Sequence, residues 1–152
     1  MRVSEVMSPR IASVGPDLSI RETAHEMQSR GLICMPVCEH DQLIGVVTEH
    51  DITGQCAAKG HNPAQTKVRD VMSKHAACCF EDQDVTEAVR IMEQEQLYQL
   101  PVLDRQVHVV GMLSLGDLVS RSSRGLSGEM RGIVSEPQHT WITEYLSYYG
   151  MR

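Results

Sequence analysis

Residues suited to burial recur at i, i+3, i+4 and i+7 in two places, at Ile20, Thr23, Ala24 and Met27 and again at Val85, Ala88, Val89 and Met92. That spacing predicts two amphipathic helices. Ser19 with Glu22, and Asp84 with Glu87, set a capping oxygen three residues ahead of a carboxylate, which predicts reciprocal caps at both helix starts. Elsewhere the apolar runs are short. ICMPV at 33–37 and YQLPV at 98–102 predict strands, and the proline inside each marks an edge or a bulge. After the polar turns EHDQ and DRQ come second strands, LIGVVT at 43–48 and VVGMLS at 109–114. Further helices are expected from about Glu49 to Lys59 and from about Leu115 to Ser123, with Gly60 and Gly125 as stops.

The pattern is one unit used twice. VSEVMS at 3–8 returns as VRDVMS at 68–73, 65 residues on, and Pro36 returns as Pro101 at the same shift. One inserted residue in the second turn makes the shift 66 between Gly45 and Gly111. Each unit reads helical turn, short strand, helix, strand, strand, helix, in about 60 residues, too few to bury much surface alone. Two copies pairing through their sheets into one pseudo-twofold body is the economical arrangement. The chain divides into a first repeat at 1–60, a joint HNPAQT at 61–66, a second repeat at 67–124, and a tail at 125–152. In that tail a polar, glycine-rich loop precedes TWITEYLSYYG, whose Trp141, Tyr145, Tyr148 and Tyr149 share one face of a short C-terminal helix. Such a face is suited to docking on the chain's own body or on a dimer partner.

Over residues 3–123 these features resemble a tandem pair of cystathionine beta-synthase (CBS) domains. The resemblance rests on VMS before each first strand, on the M-P-V and L-P-V strands, and on a glycine, two apolar residues, a hydroxyl and an aspartate three further on, at Gly45–Asp51 and Gly111–Asp117. It implies an α/β (α+β) fold of two β-α-β-β-α repeats about a pseudo-twofold axis. It also implies clefts that bind adenosyl ligands such as AMP, ADP, ATP or S-adenosylmethionine, and pairing of chains into a homodimer.

The signature residues suit that chemistry. Thr48 and Ser114 end a strand and open a helix, where free N–H groups attract phosphate. Asp51 and Asp117 follow in the first turn, and a carboxylate there can accept both hydroxyls of a ribose. The same pairs are also good helix caps that need no ligand. His50 stands inside the first signature while its counterpart is Gly116, so the two clefts should differ in anion affinity. For the base, the resemblance points to the first strands IASV at 11–14 and HAACC at 75–79, which bring Val14 and Cys79, and to Cys34, Met35, Pro36, Gln99, Leu100 and Pro101 around the strand prolines.

Composition narrows the remaining classes. With 41% hydrophobic but 4% aromatic residues, the core must be aliphatic. A net charge of −6 argues against nucleic acid as the main partner. The start MRVSEVMSPR has no apolar signal core, and no run approaches about 18 apolar residues, so a cytoplasmic protein without a membrane partner is expected. Five cysteines without framework spacing fit reduced thiols. Cys34, Cys38 and His40 with Cys78 and Cys79 form no C-x-x-C pair, so no metal site is expected. No catalytic motif or required cofactor is expected either. The sequence reads as a non-enzymatic sensor that reports adenosyl binding to a separate, unknown regulated protein. The alternative is a ligand-free dimerisation and protein-interaction module, for which Asp51 and Asp117 would be dispensable.

Overall fold

The computed structural model describes residues 1–9, 12–74 and 77–122. The expected loop and aromatic helix of the tail, Gly125, and positions 11, 75 and 76 of the expected first strands lie outside the described residues.

The first repeat runs through a 3₁₀ turn Val3–Glu5, strand β1 Ser8–Pro9, helix α1 Ile20–Arg30, strands β2 Cys34–Glu39 and β3 Gln42–Thr48, and helix α2 Glu49–Thr53. A π-helical turn, Gly54–Ala58, extends α2. The second repeat follows with a 3₁₀ turn Val68–Asp70, β4 Cys79–Phe80, α3 Val85–Glu95, β5 Gln99–Leu103, β6 Val109–Ser114 and α4 Leu115–Ser122. Helix α1 buries Ile20, Thr23 and Met27, with Ala24 half-buried, while α3 buries its whole stripe of Val85, Ala88, Val89 and Met92.

The reciprocal caps expected at these helix starts are only half made. Ser19 Oγ accepts from the Glu22 N–H at 3.1 Å and Asp84 Oδ1 from the Thr86 N–H at 2.9 Å, but the exposed Glu22 and Glu87 do not close the box. A crossing backbone meets the helix start instead. Ile20 N–H donates to the Thr66 carbonyl and Val85 N–H to the Met1 carbonyl, both at 2.9 Å.

Strands β2 and β3 pair antiparallel, and β5 and β6 do the same inside a four-stranded sheet of order β1-β6-β5-β4. The ladder slips by a bulge between Val37 and Cys38 and between Val102 and Leu103, one residue after the strand proline in each repeat. In the first repeat a single parallel bridge, Val14 to Val37, stands where β4 lies in the second.

The sequence repeats and the packed units are out of step by one segment. Strand β1, at the start of the first repeat, pairs with β6 of the second, Ser8 opposite Met112 and Pro9 opposite Gly111. Ser73, from the start of the second repeat, exchanges hydrogen bonds of 3.0 and 2.9 Å with Val46 of β3. Val3 and Val6, both 0% exposed, accordingly belong to the core of the second unit, and Val68 and Val71 to the core of the first. The signature glycines make this crossing possible. A Cβ on Gly45 would lie 2.8 Å from the Ser73 carbonyl oxygen, and one on Gly111 2.7 Å from that of Ser8, closer than packed atoms tolerate. Between the units a third buried cluster joins Cys34 and Val46 to Met112.

Candidate functional site

Each helix that carries a signature aspartate begins with the cap its sequence predicts. Thr48 Oγ1 accepts from the Asp51 N–H at 3.1 Å while Asp51 Oδ2 accepts from the Thr48 N–H at 2.9 Å. Ser114 and Asp117 repeat this at 3.0 and 3.1 Å. The reciprocal box fixes each carboxylate at a strand-to-helix junction, half-buried and aimed by its own backbone.

A cleft opens beside each of them. One, of about 260 Å3, is lined by Asp117, Ser114, Ser8, Ala12, Arg30, Leu32, Gln99 and Met112. The other, of about 170 Å3, is lined by Asp51, Thr48, Ser73, Ala77, Glu95, Leu97, Cys34 and Val46, together with Gln99 and Pro101. The walls correspond position by position under the repeat. Ser8 matches Ser73, Ala12 matches Ala77, Leu32 matches Leu97, Arg30 matches Glu95 and Gln99 matches Cys34 at the 65-residue shift, and Met112, Ser114 and Asp117 match Val46, Thr48 and Asp51 at 66. Each cleft is therefore built from both repeats, because its serine arrives on the crossing segment.

The two differ in charge and in hydrogen bonding. Ser8 Oγ donates to Asp117, 3.2 Å from Oδ1 and 3.4 Å from Oδ2. Among the described residues no such bond joins Ser73 to Asp51. Arg30, bonded through Nε to Glu26 at 3.1 Å with half of its side chain exposed, lines the first cleft. An exposed carboxylate, Glu95, takes its place in the second.

The structure brings together Thr48, Asp51, Cys34, Gln99 and Pro101 in one cleft and Ser114, Asp117 and Gln99 in the other. His50 lines a neighbouring pocket, with Glu49, Gln96 and Tyr98. Met35 and Leu100 are 0% exposed core residues, and Val14, Pro36 and Cys79 are buried as well. Val14 donates its N–H to Pro36 at 3.0 Å and accepts from Cys38 at 2.9 Å, so its backbone is taken up by strand pairing. Ser8, Ser73, Arg30, Glu95, Leu32 and Leu97 were not singled out by the sequence motifs. The signal for them lies in the repeat itself, in the serine of VMS and in the paired helix ends.

Burial pushes the Cys34 thiol up to about 12, with the Asp51 charge adding to it, and pushes the Cys79 thiol up to about 12 as well, with Cys78 adding. Both are held as neutral thiols, the form least suited to a metal. Among the described residues no three His, Cys, Asp or Glu side chains converge on a point that could hold an ion.

Comparison with known proteins bears on this architecture. The family described as CBS domain matches residues 3–57 and 68–124. A CBS domain-containing protein of Bacillus subtilis, YhcV, is 34% identical over 116 residues, covering 76% of this chain and 81% of its own. An inosine-5'-monophosphate dehydrogenase of Methanocaldococcus jannaschii is 28% identical over 121 residues, 79% of this chain but 23% of the dehydrogenase. Among solved structures, CBSX2 in complex with AMP superposes with a TM-score of 0.70 at 21% identity over 81% of this chain and 96% of that one. The CBS domain pair of MJ0100, in complex with 5'-methylthioadenosine and S-adenosyl-L-methionine, gives 0.69 at 24% over 82% and 97%. Hypoxic Response Protein I, with two coordinated zinc ions, gives 0.70 at 21% over 83% and 99%. At these identities the structural likeness concerns the fold.

Proposed function

The chain belongs to the CBS-domain family, with two copies in tandem, and from that premise we propose that it is a non-catalytic regulatory module that binds an adenosine-containing ligand and signals to a separate protein. The observation that carries this reading is the pair of equivalent clefts, each with a carboxylate held by its own helix cap at the cleft wall. A cap fixes a carboxylate without using all of its lone pairs. Asp51 spends Oδ2 on the Thr48 N–H, which leaves Oδ1 for the vicinal hydroxyls of a ribose. The relatives that bind AMP, or 5'-methylthioadenosine and S-adenosyl-L-methionine, support the ligand class by analogy of fold.

The place of the clefts supports the signalling part of this reading. Each is walled by both repeats, so a ligand that fits one relative placement of the repeats better than another shifts their balance. Two chains joined as a homodimer in the cytoplasm belong to the same reading. Sedimentation should then give twice the 17.0 kDa chain mass. One observation favours the ligand-free alternative: both aspartates already complete helix caps, which is work they can do with empty clefts.

Thermal unfolding with AMP, ADP, ATP, S-adenosylmethionine and a guanine nucleotide separates the two readings. A ligand at 100 times its Kd stabilises by about 2.7 kcal/mol, which for a chain of this size raises Tm by about 2–4 °C per kcal/mol. The shift should appear with an adenosyl compound and be lost in Asp51→Asn or Asp117→Asn, whose amide oxygen keeps the cap while losing the charge. Unchanged melting with every compound at millimolar concentration would sink the ligand reading and leave the interaction module.

A further inference from the structure

The clefts are equivalent in position and unequal in charge. Resting on the adenosyl-binding reading above, we propose that they sort ligands by the charge at the 5' end of the adenosine: the Asp117 cleft takes a 5'-phosphorylated nucleoside, and the Asp51 cleft takes an adenosyl compound whose 5' substituent is uncharged or cationic, a thioether or a sulfonium.

Asp117 and Asp51 occupy the same point of the two clefts, so a ribose held by either aims its 5' substituent at equivalent walls. Those walls agree in their serine, alanine and leucine, and their difference in charge lies at the final residue of the long helix. Arg30 ends α1 in the Asp117 cleft, and Glu95 ends α3 in the Asp51 cleft. Among the charged groups that line them, the first cleft holds Asp117 and Arg30 and the second holds Asp51 and Glu95. One set sums to neutrality and the other to two negative charges. Only the first offers a positive partner to a phosphate, in a planar fork suited to its oxygens. Among the described residues Glu26 engages Arg30 through Nε, at 3.1 Å, which leaves the terminal nitrogens of the fork for an anion. In the second cleft a phosphate would face a second carboxylate, whereas a sulfonium would gain one.

His50, which the sequence places within the first signature, lines the adjoining pocket beside Glu49. The clefts are thus expected to differ in anion affinity, as the signature suggests, but through Arg30 and Glu95 rather than through His50.

The test is calorimetric titration of the full chain with AMP and separately with S-adenosylmethionine, in the wild type and in Arg30→Gln, Glu95→Gln, Asp117→Asn and Asp51→Asn. Arg30 and Glu95 are exposed helix-end residues, so their glutamine variants keep the fold. The proposal expects Arg30→Gln to weaken AMP at least about tenfold, the scale of one lost hydrogen bond to a charged group, and to leave S-adenosylmethionine unchanged. Glu95→Gln should weaken S-adenosylmethionine and not AMP. AMP should be lost in Asp117→Asn and retained in Asp51→Asn. AMP that binds with the same affinity in Arg30→Gln, or that is lost only in Asp51→Asn, overturns the sorting while leaving the adenosyl reading intact. No heat from either compound with the wild type at millimolar concentration overturns both.

Discussion

The exchange of segments is enforced at single atoms. At Gly45 and Gly111 a hydrogen stands where any other residue would place a methyl against a carbonyl oxygen. Gly45→Ala should therefore cost about 1–3 kcal/mol, the range of overpacking in a tight site. Urea unfolding at unchanged m would read it directly, and a loss below about 0.5 kcal/mol would show that the crossing segment can move aside. The buried thiols carry a second consequence, at alkaline pH. Cys34 and Cys79 stay protonated in the folded chain up to about 12, whereas in the unfolded chain a thiol ionises near about 8.5. The folded state thus holds the protons more tightly, so this stability is complete below about pH 8.5 and is lost as pH rises toward about 12. Melting of wild type and a Cys34→Ala, Cys79→Ala double variant between pH 7.5 and 10.5 checks it, since the wild type should fall more steeply.

At the scale of elements, the turn of the β5–β6 hairpin stores strain. Val107 sits at φ 70, a left-handed conformation that a β-branched residue rarely adopts, and is 40% exposed. Asp104 Oδ1 holds the turn by accepting from the Gln106 and His108 N–H groups at 2.9 Å each. Arg105 pins the tip through a two-bonded pair with Asp82, at 2.9 and 2.7 Å, and lies 4.3 Å from the centre of the Phe80 ring. Val107→Gly should relieve the left-handed cost and raise stability by up to about 1 kcal/mol, since relief exceeds the added chain entropy. A lower urea midpoint would mean that the exposed valine side chain contributes more than its backbone costs.

The elements were legible where sequence period and burial coincide. The stripes of α1 and α3, the proline strands and the caps at Thr48 and Ser114 all follow from local pattern. What the pattern could not give is partnership across the repeat. Nothing in VMS says that Ser8 lies over β6 rather than over β3, because the two hairpins present the same glycine. Arg30 and Glu95 read as ordinary solvated ends of amphipathic helices until the fold turns each toward a cleft. Met35 and Leu100, drawn toward the site by their place beside the prolines, were core because strand alternation points them inward.

At the scale of the molecule, the exchange links the two units thermodynamically. Residues 1–7 lie first in sequence yet supply Val3 and Val6 to the second unit's core. Removing them should cost about 3–6 kcal/mol, at about 1.5–3 kcal/mol for each buried valine, against a total stability of about 5–15 kcal/mol. Hydrogen exchange of such a truncated chain should speed in α3, β5 and β6 while β2 and β3 keep their protection. Equal loss in both hairpins would mean that the two units open only together.

The same crossing bears on ancestry. Each half carries the piece that closes the other, and both pieces have one shape, a valine-rich turn ending in Met-Ser laid over a glycine. Two identical copies of either half could thus complete one another by mutual exchange, the low-cost route to a symmetric dimer. Duplication and end-to-end joining of such a self-completing half would give the plan of this chain. Arg30 and Glu95 stand at equivalent seats of such a plan, which a single polypeptide, unlike a symmetric dimer, lets differ.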